Sequence, residues 1–130
     1  MNNKVEYWIN IAEYDLQTAK ALLKTSRFLY VGFMCHQTIE KALKALIARN
    51  CAEGELPPKI HDLVKLAVKG NLYNIMTDKQ QDFIYKLNPL NIDSRYPDYE
   101  YNITESITEE SYEELIVETE ELLCWIKAQL

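Results

Sequence analysis

From Phe28 to Leu46 the apolar residues Phe28, Val31, Cys35, Ile39, Ala42, Leu43 and Leu46 recur mostly every three or four positions. That spacing lines one face of an α-helix and does not match the two-residue alternation of a half-buried strand. It predicts a helix with Ser26 as N-cap, running to about Arg49, the longest and most apolar of the chain. The other segments must therefore supply surfaces able to pack against it.

They are helical too. Val5, Trp8, Ala12, Leu16, Ala19 and Leu23 draw one stripe between Lys4 and Lys24. Gly54, Pro57 and Pro58 mark a loop, after which Leu63, Leu66 and Ala67 predict a brief helix stopped at Gly70-Asn71. Thr77 and Gln80 have capping-box spacing ahead of Phe83, Ile84 and Leu87, and Pro89 limits that fourth helix. The stretch from Asp93 to Asn102 has no helical stripe, and Pro97 pushes Tyr96 toward extended geometry, so it reads as an aromatic, polar loop. Thr108 caps a last helix with Glu109 and Glu110 in its positive first turn and Tyr112, Leu115, Thr119, Leu122, Ile126 and Leu130 facing inward. With only three Gly and four Pro in 130 residues, little material remains for β-turns or linkers. The expected fold class is all-α: a single domain over residues 1–130, an up-and-down bundle of about five helices, with the first, second and last supplying most of the core.

Cys35, Cys51 and Cys124 are odd in number and widely spaced, which suits reduced packing residues of a cytosolic protein rather than a disulfide framework. Charged residues interrupt the apolar positions from Met1 to Leu23, unlike a signal peptide or membrane span. The expectation is a soluble, cytoplasmic protein with no membrane contact. The net charge of −6 is uneven: residues 1–51 carry seven Lys/Arg against four Asp/Glu, whereas residues 103–130 carry only Lys127 against eight Glu. A polyanion-binding surface over the whole molecule is excluded, but a basic patch in the first half is not.

Two histidines without CxxC or HExxH spacing argue against a metal site, and the phosphate-cradling glycine loops are absent, so neither metal nor cofactor is expected. Cys35 and His36 are helix neighbours that point apart and do not form a nucleophile pair. Two features exceed what a plain bundle needs. One is a polar seam on the apolar second helix, formed by His36, Gln37, Glu40, Lys41 and Lys44 in i,i+4 relation; its plainer reading is a solvated face with local ion pairs. The other is Arg95 with Tyr96, Tyr99 and Tyr101. There a guanidinium could fork onto phosphate or carboxylate beside aromatic stacking surfaces, or pair structurally with Glu40 or Asp98. His61, ahead of Asp62-Leu63, reads either as a turn-capping or packing residue or as a chemical one.

Trp8 with Ala12 and Asp15-Leu16, then the run Gln37-Thr38-Ile39-Glu40-Lys41-Ala42-Leu43-Lys44-Ala45-Leu46, His61-Asp62-Leu63 after a proline loop, and Arg95-Tyr96-Pro97-Asp98 stand in an order that resembles the HEPN family (higher eukaryotes and prokaryotes nucleotide-binding). The resemblance covers nearly the whole chain. It implies an up-and-down bundle, often a homodimer, frequently produced beside a minimal nucleotidyltransferase in toxin–antitoxin-type pairs. Many members are metal-independent ribonucleases whose motif is an Arg followed, after four to six residues, by a His. Arg95 matches the first position, but Glu100, Tyr101 and Asn102 stand where the His would fall. Cleavage through the 2′-hydroxyl needs a proton acceptor and a proton donor, and histidine serves both steps near neutral pH.

The leading expectation is a binding module, a homodimer holding a nucleotide or RNA segment, with Gln37, Glu40, Lys41, Lys44, His61, Arg95, Tyr96 and Asp98 as ligand-binding residues and no catalytic residue. Arg95 is expected against the seam near Glu40 and Lys44, lining a small anion-accepting cleft. The alternatives are a divergent ribonuclease toxin in which His61 or His36 replaces the missing His, and a ligand-free dimeric scaffold. Apolar surface on the second helix beyond one stripe adds a physical reason to expect a dimer.

Overall fold

The computed structural model describes residues 3–93 and 108–130, without the side chains of Ile92 and Asp93. Arg95, Tyr96, Asp98, Tyr99, Glu100, Tyr101 and Asn102 lie outside the described residues. The helices are α1 (Asn3–Lys24), α2 (Val31–Arg49), α3 (Leu63–Lys69), α4 (Asp78–Leu87), the single turn α5 (Leu90–Asp93) and α6 (Glu109–Ala128), with 3-10 turns at Phe28–Tyr30 and Tyr73–Ile75. No strand occurs among the described residues, and the molecule is the all-α helical bundle expected.

Polar contacts at the helix ends fix their directions. Lys4 at the start of α1 donates to the carbonyl of Ala52 (2.8 Å), just past the end of α2, so these helices run antiparallel. Lys20 pairs with Glu120 at 2.9 Å, and Lys127 pairs with Glu13, which sets α6 antiparallel to α1. Arg49 donates to the carbonyl of Gln129 (2.8 Å), bringing together the C-terminal ends of α2 and α6. The core is continuous from Ala12, Leu16 and Ala19 through Cys35, Ile39, Leu43 and Leu46 to Leu63, Leu66, Ile84, Leu115, Leu122 and Ile126. The three long helices supply most of it, as their stripes indicated.

Local chemistry explains most boundaries. The capping box is closed from both sides, with Thr77 N–H donating to Gln80 Oε1 (2.9 Å) and Gln80 N–H to Thr77 Oγ1 (3.1 Å). Thr108 accepts from Ser111 N–H at 3.2 Å, as expected of an N-cap. α3 ends in a Schellman closure, in which Leu72 N–H reaches Ala67 O (2.9 Å) and Asn71 N–H reaches Val68 O (3.0 Å). The left-handed residue there is Asn71 (φ 58°), not the glycine before it.

Four expectations need correction. Ser26 is not the N-cap of α2: it is the left-handed residue (φ 59°) of another Schellman closure, at the end of α1, where Arg27 N–H bonds Leu22 O at 2.7 Å. α2 starts at Val31, behind the 3-10 turn, and its 19 residues make it shorter than α1 with 22. Of the cysteines only Cys35 is buried; Cys51 is half-buried beyond the end of α2, and Cys124 is exposed on α6. The apolar surplus of α2 is covered inside the chain, since Val31, Cys35, Ile39, Ala42, Leu43, Ala45, Leu46 and Ala48 are all buried. It therefore no longer argues for a dimer.

Candidate functional site

The seam on α2 is buried rather than solvated. His36 is 0% exposed, Glu40 2%, Lys44 6% and Gln37 8%, while Lys41 is half-buried. Burying ionic groups is unfavourable unless each is paired and hydrogen-bonded, and the fold supplies partners from three other elements.

Glu40 is the hub. Its Oε2 accepts from Lys44 Nζ at 3.0 Å, one turn along, and its Oε1 lies 3.0 Å from His61 Nδ1, in the turn that leads into α3. Burial acts to raise the Glu40 carboxyl, but the hydrogen bonds and charges of Lys44 and His61 hold it below the usual carboxylate range. The Lys44 ammonium also stands 5.8 Å from the centroid of the Trp8 ring on α1. Beside this row runs a second one. Lys41 Nζ donates to Gln37 Oε1 (2.8 Å) and reaches Asp15 of α1 at 3.5 Å, while Gln37 Nε2 donates to Asn91 Oδ1 of α5 (3.1 Å). Burial raises the Asp15 carboxyl, only partly offset by Lys41. Gly32 packs against α5 at that corner: a Cβ there would sit 3.0 Å from Leu90 Cδ1, so the tip of the leucine would have to give by a few tenths of an ångström.

His36 is the exception to this pairing. Among the described residues neither ring nitrogen meets a partner at hydrogen-bonding geometry, and its Nδ1 is 3.7 Å from Glu40 Oε1. Burial pushes its pKa down to about 4, although Glu40, the His61 backbone and Asn88 favour the charged form.

His61 carries the hub toward solvent, with its side chain 51% exposed. Asp62 N-caps α3, its Oδ1 accepting from Val64 N–H (3.0 Å), Lys65 N–H (3.1 Å) and Asn88 Nδ2 (3.2 Å). Burial acts to raise the Asp62 carboxyl, but these hydrogen bonds hold it below its ordinary value. Asn88 Oδ1 in turn accepts from Leu63 N–H at 2.9 Å, which clamps the end of α4 onto the start of α3. His61, Asp62, Tyr85, Asn88, Pro89 and Asn91 line an open cavity of about 440 Å³.

Of the residues singled out from the sequence, Gln37, Glu40, Lys41, Lys44 and His61 are brought together, whereas Arg95, Tyr96 and Asp98 fall outside the described residues. Tyr85, Asn88 and Asn91 were missed. Tyr85 and Asn88 stand off the apolar stripe of α4 and Asn91 lies beyond it, so no motif singles them out, and only the α3–α4 clamp and the α5 turn assemble them beside His61. Among the described residues no group of three or more His, Cys, Asp or Glu is placed to hold a metal ion, and no helix is long and apolar enough to cross a membrane.

The crystal structure of TT1696 from Thermus thermophilus has the same fold, with a TM-score of 0.81 over 99% of this chain and 100% of the other at 20% identity. No curated protein matches the chain. A family model for the HEPN domain matches residues 5–129, nearly the full length, and the chain belongs to that family.

Proposed function

We propose that this HEPN domain is a nucleotide- or nucleic-acid-binding module whose ligand meets the face around His61, with Arg95 contacting phosphate. The observation carrying this is the Glu40–His61 contact. A buried carboxylate, itself anchored by Lys44, fixes a half-exposed imidazole at the rim of a cavity. Gln37, Lys41 and Lys44 act behind this face as scaffold, because their polar groups are spent on internal partners. Tyr96 and Asp98 complete the ligand-binding set in this proposal. Homodimerisation and pairing with a minimal nucleotidyltransferase in a toxin–antitoxin-type system belong to the same proposal and are supported by membership of the family alone. Calorimetric titration of the protein with AMP and with a short single-stranded RNA tests the proposal. Saturable binding weakened by Arg95→Ala and by His61→Ala is the expected result, and no heat with either ligand overturns it.

One observation favours a second reading. Nδ1 of His61 faces a carboxylate, the arrangement that orients an imidazole as a general base, so a divergent ribonuclease would work through His61. His36 is enclosed and cannot reach a polymer. Because Glu100, Tyr101 and Asn102 occupy the positions where the family histidine stands, purified protein is expected to leave single-stranded RNA intact in a gel assay. Cleavage lost in His61→Ala would establish the second reading instead.

A further inference from the structure

The cavity beside His61 differs in chemistry from the ionic seam behind it. It is lined by one imidazole, one carboxylate, two amides, a phenol ring and a proline, with no Lys or Arg among the described residues. Its volume of about 440 Å³ falls within the range of small-molecule sites. The polar members are fixed from outside the cavity: His61 by Glu40, Asn91 by Gln37, and Asn88 and Asp62 by each other and by the start of α3. Such fixed groups discriminate between ligands because they cannot rearrange to suit a poor one.

Charge and shape then narrow the ligand. An ionised Asp62 accepts N–H donors and repels a phosphate brought against it. All three contacts of Asp62 fall on Oδ1, leaving Oδ2 as the acceptor for a ligand among the described residues. With Nδ1 of His61 held by Glu40, Nε2 is the nitrogen available to a ring edge. Tyr85 is 76% exposed, so its ring presents a stacking surface that the core does not use.

We infer that this cavity is a nucleobase subsite, in which Tyr85 stacks on a base bearing an exocyclic amino group, the Asp62 carboxylate accepts that amino group, and His61 bonds the ring edge. This rests on the nucleotide-binding proposal above and adds to it a division of labour: the base is held here, and phosphate elsewhere. Adenine carries such an amino group, whereas uracil offers carbonyl oxygens that Asp62 would repel.

Titration of the full chain with adenosine, uridine and inorganic phosphate tests the inference. Adenosine is expected to bind, uridine to bind at least about tenfold more weakly, because a site arranged to accept a donor discriminates against a ligand that lacks it, and phosphate alone not to compete with adenosine. Tyr85→Ala, at an exposed position that leaves the fold intact by circular dichroism, is expected to weaken adenosine binding about tenfold or more, whereas Tyr85→Phe keeps it because stacking needs only the ring. Equal affinity for adenosine and uridine, or unchanged adenosine binding by Tyr85→Ala, overturns the subsite. If adenosine does not bind while AMP or RNA binds in an Arg95-dependent manner, the subsite is wrong and the proposed function stands. If adenosine, AMP and RNA all fail to bind, both fall.

Discussion

Glu40→Ala is expected to destabilise the protein by about 3–5 kcal/mol, the range for leaving one member of a buried ion pair without its partner. Against a total stability of roughly 5–15 kcal/mol for an ordinary domain, this is a large share. The loss has a specific source. Lys44 is 6% exposed and would keep an ammonium whose remaining neighbour among the described residues is the face of Trp8 at 5.8 Å, while His61 would lose its anchor. The double variant Glu40→Leu/Lys44→Met removes both charges and is expected to recover most of the stability, because apolar replacement of a whole buried pair is often neutral or better. Urea unfolding followed by circular dichroism measures each variant. A loss below about 1 kcal/mol for Glu40→Ala would mean that the pair behaves as a surface ion pair does. The same contact fixes an acid limit. The Glu40 carboxyl lies below its ordinary 4.5 in the folded protein, so its contribution is present above that value and is lost as pH falls through the lowered one.

His36 sets a second and earlier acid dependence. Its pKa falls from 6.5 to about 4 on folding, so between those values the unfolded chain binds a proton that the folded protein does not. Stability therefore rises with pH across this window and falls on acidification. At about 1.4 kcal/mol per unit, the full effect is roughly 3 kcal/mol, complete once pH is below the folded value. The Glu40 carboxyl lies close by, so the share of His36 is isolated by comparison with His36→Leu. This variant is expected to be as stable as the parent near pH 7, or more so, because it removes two buried nitrogens without a hydrogen-bond partner among the described residues. It is also expected to lose stability less steeply between pH 6.5 and 4. Parallel slopes in the two proteins over that window would show that His36 is not held neutral by burial.

The helices were legible along the chain alone. Apolar residues at three- and four-residue steps decide which side of a helix leaves water, and caps such as Thr77 and Thr108 satisfy backbone groups within three residues of themselves, so both are local and readable in one dimension. The end of α1 was misread because Ser is a good N-cap in general, and only the backbone bond from Arg27 to Leu22 shows that Ser26 closes the preceding helix instead. The polar seam was visible as residues at i,i+4 spacing, but whether it met water was not. That depends on which surfaces of α1, α3 and α5 arrive to cover it, and burial is a property of the packed whole. For the same reason the sequence could pair Glu40 with Lys44 four residues on, but not with His61, 21 residues away. Nor did it offer a reason to group Tyr85, Asn88 and Asn91 with either, since those contacts exist only after α4 and α5 turn back onto the start of α3. Packing in three dimensions therefore settled which charges are buried, which imidazole faces solvent and where the cavity opens. Electrostatics and cavities depend on distance in space, and the chain records only distance along itself.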